Sequence, residues 1–243
     1  MSFLVNPFMS FSLRLIDIAV AHSNSPNISA YPWSAGFGTK YANPATLPPS
    51  TGRGVAFTPS GNDIAVAHTT SPNISAYPWS AGFGTKYANP ATLPPSTGEG
   101  VAFTPSGNDI AVAHSYSPSI SVYPWSSGFG TKYANPATLP PGTGRGVAFT
   151  PSGNDIAVVH TTSPNISAYP WSAGFGTKYA NPATLPPSTG RGVAFTPSGN
   201  DIAVVHTTSP NISAYPWSAG FGTKYANPAT LPTGTGEGVA FTP

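Results

Sequence analysis

His22, His68, His114, His160 and His206 stand 46 residues apart. Five imidazoles on a ring would suggest a metal centre. A zinc site, however, needs ligands about 2 Å from the ion, and no HxH or HExxH supplies a second ligand beside any of them. Equivalent positions in separate repeats also hold the five apart. The spacing reads as one structural histidine per repeat, bonded to a neighbouring turn, and no metal is expected. Asp17, Asp63, Asp109, Asp155 and Asp201 keep the same period. Acid–base catalysis or calcium binding would need a second carboxylate close by. Each repeat offers this single Asp, so turn capping is the expected role. There is no cysteine, GxSxG, P-loop or GxGxxG. Catalytic residues and cofactors are therefore expected to be none, and the chain is not expected to be an enzyme.

A second set could bind rather than react. Tyr31 and Trp33 recur as Tyr77 and Trp79, Tyr123 and Trp125, Tyr169 and Trp171, and Tyr215 and Trp217. Most should fill the core between repeats, each large ring burying about 150–250 Å². A Trp or Tyr left open in a groove would offer a flat face to a sugar ring, with Asn, Ser and Thr to bond its hydroxyls. Arg53, Glu99, Arg145, Arg191 and Glu237 occupy one repeat position with mixed charge. They could select a ligand at a channel mouth, or simply balance one another on a rim. Asn27, Asn73, Asn165 and Asn211 each open an Asn-Ile-Ser sequon, replaced at Ser119. A turn Asn entering a strand accounts for them.

Composition limits the partners. The net charge is +2 with no run of Lys or Arg, too little for nucleic-acid binding. Only 7% of the 243 residues are charged, and there are 30 Pro and 26 Gly. Disorder is the wrong reading, because aromatics recur at fixed positions. No apolar stretch reaches transmembrane length. The N-terminal segment resembles a signal peptide faintly, but it lacks a basic start, and its DIAVAH recurs at 63–68 and 109–114. No membrane association is expected, and localisation stays open.

The elements behind these residues come from one unit, TGRGVAFTPSGNDIAVAHTTSPNISAYPWSAGFGTKYANPATLPPS at 51–96, with near-copies from Thr97, Thr143 and Thr189. A fifth is split between 235–243 and 17–50. Four short strands are predicted: GVAFT, DIAVAH, NISAY and FGTKYAN, separated by PSGND, TTSPN and a proline that cannot donate to a ladder. In DIAVAH the Ile, Val and His share one face and the alanines the other. A unit of this size cannot bury its own apolar face and must stack on a neighbour.

GVAFTPSGNDIAVAH followed by ISAYPW resembles the WD40-like and YVTN-type β-propeller repeat, over about 17–243. The chain departs from true WD40 repeats, since Trp-Ser replaces Trp-Asp and the Gly-His pair is absent. The resemblance implies an all-β, five-bladed propeller with four-stranded blades. It also implies velcro closure, with C-terminal residues 238–243 pairing into the blade built from 17–45. Residues 1–16 are an appendage in this scheme. The chain is expected to be a monomer, with self-association through 1–16 as its alternative.

The copies barely differ, which points to recent amplification of one unit or to design. Two functions follow. One is a scaffold or protein-interaction module without chemistry of its own. The other is a multivalent carbohydrate-binding propeller with equivalent sites at the blade junctions. The partner is an unidentified protein or glycan.

Overall fold

A computed structural model describes residues 16–242. Those residues contain β-strands and turns and no helix, so no helix is long and apolar enough to cross a membrane. The strands are β1 (Ile16–Ala21), β2 (Ile28–Trp33), β3 (Gly52–Phe57), β4 (Asp63–His68), β5 (Ile74–Pro78), β6 (Gly98–Phe103), β7 (Asp109–His114) and β8 (Ile120–Pro124). They continue as β9 (Gly144–Phe149), β10 (Asp155–His160), β11 (Ile166–Pro170), β12 (Gly190–Phe195), β13 (Asp201–His206) and β14 (Ile212–Pro216).

Each repeat folds as an antiparallel meander. Val55 pairs with Val66, and Ser75 lies on the other side of Val66. The PSGND turn forms because Gly61 takes a positive φ of 69° and its N–H bonds the Thr58 carbonyl. The first strands of successive sheets lie side by side. A Cβ on Gly54 would sit 3.0 Å from Gly100 Cα, so glycine is what lets these backbones approach.

Strand alternation produces two unlike faces, and they fit each other. Ala65, Ala67, Ile74 and Ala76 form the slimmer face of one sheet. Against it pack Ile110, Val112, Tyr123 and Trp125 from the bulkier face of the next. The same pairing joins Ile28 and Ala30 to Ile64, Val66, Tyr77 and Trp79. A slim face against a bulky one fills each inter-sheet layer, and every fully buried Ile contributes roughly 1.5–3 kcal/mol.

Three expectations need correction or restriction. Sheets of the complete repeats have three strands, not four. FGTKYAN makes an isolated Trp79–Phe83 bridge and two backbone bonds to the third strand, Gly84 N to Pro78 O and Tyr87 N to Ala76 O, which do not extend into a strand. The reason is local. Gly84 N folds back onto the Pro78 carbonyl at 2.8 Å, after a turn in which Ala81 and Gly82 have φ of 49° and 148°. Closure by the C-terminal segment is not formed either. The β1–β2 sheet has two strands, and residues 238–242 carry no strand. Finally, the appendage expected over 1–16 lies outside the described residues except for Ile16, which pairs with Trp33 inside β1–β2.

Candidate functional site

The repeated side chains meet at the junctions between sheets. Asp63 opens β4, where its N–H bonds Thr58 Oγ1 at 3.1 Å. Its carboxylate points into the junction. One oxygen accepts the hydroxyl of Tyr87 at 2.6 Å, and the other accepts Trp125 Nε1, from the following sheet, at 3.2 Å. The arrangement repeats at Asp17 with Tyr41 and Trp79, at Asp109 with Tyr133 and Trp171, and at Asp155 with Tyr179 and Trp217. Burial, followed by donation to Asp63, pushes the Tyr87 hydroxyl up to about 12, so it stays a donor at neutral pH. The aspartates thus do more than cap turns: each ties one sheet to the next.

Tyr77, Tyr123, Tyr169 and Tyr215 are fully buried, and Trp79, Trp125, Trp171 and Trp217 nearly so. Each tyrosine hydroxyl donates to a linker carbonyl of the preceding repeat, as Tyr123 does to Thr92 O at 2.9 Å. Each of these tryptophans meets three rings edge-on; for Trp125 they are Tyr87, Phe103 and Phe129. Trp33 is 38% exposed, and Tyr31 is half-buried beside Phe37.

His68, His114, His160 and His206 are buried within their own sheets. His68 Nδ1 donates to Thr70 O at 2.8 Å, which fixes the tautomer and leaves Nε2 to accept from Ser75 Oγ at 3.0 Å. Burial pulls His68, His114 and His160 down to about 4, so they are neutral at pH 7. Among the described residues no three His, Asp or Glu gather to hold a metal.

Arg53, Glu99, Arg145, Arg191 and Glu237 follow the opening glycine of each unit. Arg145 Nη1 lies 3.0 Å from Glu99, and Arg191 Nη1 lies 3.6 Å from Glu237, so opposite charges pair between adjacent repeats.

Sequence reasoning placed equivalent sites at the junctions through the Tyr and Trp positions, and it missed which Ser, Thr and Asn line the open space at one end of the sheets. A cleft of about 400 Å³ is lined by Thr104, Ser106, Asp109, Ser152, Gly153, Asn154, Trp171, Ser172 and Ala173. One unit earlier, a cleft of about 250 Å³ is lined by Thr58, Ser60, Asp63, Ser106, Gly107, Asn108, Trp125, Ser126 and Ser127, together with Asn62. The two sets differ by 46 at each shared position. The lining is hydroxyl and amide with one carboxylate, Asp109 or Asp63, and the tryptophan at its edge. The repeat itself was the available signal: a PSGN turn and a WSA turn recurring in step must meet wherever the sheets stack.

No protein-family model matches the chain, and no curated protein matches it. Solved structures do resemble it. One is a Bacteroides uniformis protein provisionally named 6-phosphogluconolactonase, with TM-score 0.62, 15% identity, 86% of this chain covered and 66% of that one. Another is hydrazine synthase of Kuenenia stuttgartiensis, with TM-score 0.60, 16% identity and coverages of 79% and 57%. A third is a Desulfotomaculum acetoxidans protein of unknown function, with TM-score 0.62, 13% identity and coverages of 86% and 66%. The chain therefore spans less than two thirds of the length of these proteins. The likeness overturns the expectation that the chain is not an enzyme. An architecture shared with a protein bearing a lactonase name is one on which chemistry can be built, so missing motifs and uniform blades do not exclude it. At such identities the likeness carries the fold alone, and that fold is a stack of repeated propeller-type sheets.

Proposed function

We infer that the protein works as a multivalent binding scaffold, holding an extended partner at equal steps along its row of junction clefts. One observation carries this reading: the same cleft recurs 46 residues on, with the same hydroxyl and amide lining. The buried aromatic faces are committed to inter-sheet packing, so what the surface repeats is polar and nearly uncharged. A partner that engages several weak, equal sites gains affinity from effective concentration rather than from any single contact. A peptide segment with spaced polar side chains fits this lining. A saccharide is the second reading, favoured because Ser, Thr and Asn groups converge there beside a carboxylate already bonded to Tyr and Trp.

A displayed peptide library and a glycan panel, screened side by side, test the proposal. Asn108 and Asn154 are exposed and hold equivalent places in the two clefts. Asn108→Ala and Asn154→Ala should each weaken a hit modestly, and the double variant should weaken it far more. Peptide hits support the scaffold reading and glycan hits the saccharide reading. Hits indifferent to both substitutions, or no hits at all, overturn the junction clefts as the site.

A further inference from the structure

The four junctions between sheets are built alike, and each joins one set of donors to one set of acceptors. A Trp N–H reaches the Asp 62 residues earlier, and a buried Tyr hydroxyl reaches the carbonyl 31 residues earlier. At the first sheet the donors stand without these partners. Among the described residues Trp33 Nε1 and Tyr31 Oη bond no such acceptor. Trp33 is 38% exposed where Trp79 is 5%, and Phe37 and Ile16 lie open beside it. At the last sheet the acceptors stand without their donors. Among the described residues Asp201 takes the Tyr225 hydroxyl at 2.6 Å but no tryptophan, and Thr230 O takes no tyrosine.

The strands tell the same story. Gly236 N bonds His206 O at 3.2 Å, as Gly52 N bonds His22 O at 2.9 Å. Glu237 pairs with Arg191, as Glu99 does with Arg145. Residues 235–238 therefore start along the path of a first strand for a further sheet, and among the described residues no second strand pairs with them. The β1–β2 sheet is the reverse: among the described residues it has a second and third strand and no first.

We propose that these two faces dock on each other in trans, the last sheet of one copy against the first sheet of another. The occupant of each face is a second copy of this chain, because that copy carries the missing half of each bond. By the repeat offset, Trp33 would donate to Asp201 of the partner subunit and Tyr31 to the carbonyl of the partner subunit's Thr230. The ring of Tyr225 of the partner subunit would then meet Trp33 edge-on, as Tyr179 meets Trp217. Val239 and Phe241 of the partner subunit would lie beside Val20 and Ile18, as Val55 and Phe57 lie beside Val66 and Ile64. The contact is head-to-tail, so it extends to further copies unless the rotation closes.

Light scattering and sedimentation over a rising concentration series test this. The wild-type mass should climb above the monomer. Trp33→Ala removes the donor on one face and Asp201→Ala the acceptor on the other, so either variant alone should associate about tenfold more weakly or worse, as expected for a lost hydrogen bond to a charged group. Mixed together, the two variants still own one good face each and should form dimers and nothing larger. Trp33→Phe keeps the ring, drops only the donor and should weaken association in the same direction. Circular dichroism on each variant confirms that it is folded. A wild-type chain that stays monomeric throughout overturns the proposal. So does a mixture that yields no dimer, and so do variants that associate as the wild type does.

Discussion

Trp125 Nε1 lies 3.2 Å from Asp63 across 62 residues of chain, and the same carboxylate holds Tyr87 at 2.6 Å. One buried charge thus bonds a donor from its own sheet and a donor from the next. Removing it leaves two donors without their acceptor at the junction. Asp63→Ala should lower stability to urea unfolding by about 3 kcal/mol, and Asp63→Asn, which keeps one acceptor, by less. A loss below about 1 kcal/mol for the alanine variant would mean that water takes over the carboxylate's place.

Acid should loosen the fold through its histidines. His68, His114 and His160 sit at about 4 in the fold against an ordinary 6.5, chiefly through burial. The unfolded chain then takes up protons that the folded chain refuses. Their contribution is whole above pH 6.5, falls as pH drops from 6.5 to about 4, and is flat below. Each amounts to roughly 3 kcal/mol across that window. Urea midpoints at pH 7 and pH 4.5 measure it, and stability that rises on acidification would show the imidazoles charged in the fold.

Gly98 begins β6 against the previous repeat, where a Cβ would overlap the Asn73 carbonyl oxygen and stand 3.1 Å from Ala67 Cβ. Backbone cannot step aside as a flexible side chain can. Gly98→Ala should cost about 2 kcal/mol or more. Gly234, with nothing within 4 Å of its Cβ position, is the comparison. Gly234→Ala should leave the melting temperature where it was.

Glu99 and Arg145 are paired at 3.0 Å in a half-shielded place. Glu99→Gln should cost about 1 kcal/mol or less, and added salt should narrow the gap from wild type. An unchanged unfolding midpoint at low salt would leave the pair with no energetic role.

Much of this was legible in the sequence because the period is exact in number and strict in residue type. The tryptophans alone give the unit, and DIAVAH gives its two faces, large and small. The junction bond was harder to see. Asp63 reads as a turn residue beside Gly-Asn, and Trp125 reads as core, yet a buried indole N–H needs an acceptor and each repeat has one carboxylate to offer. The fourth strand failed for a reason that pattern does not carry. FGTKYAN has suitable residues for a strand, but the turn before it folds Gly84 back onto Pro78. Closure failed differently: a count of repeats says how many sheets stack, not how sharply each turns from the last.

Every clamp joins a residue to one a constant number of positions earlier, in the neighbouring unit. Suppose recombination between near-identical copies of the coding sequence deleted or added one whole unit of 46 codons. Each surviving aspartate would still find a tryptophan at its usual offset, and each slim face would still find a bulky one. Such an event would alter the length of the stack without asking any contact to change partner. The protein is thus built so that its gene can stutter and its product still folds.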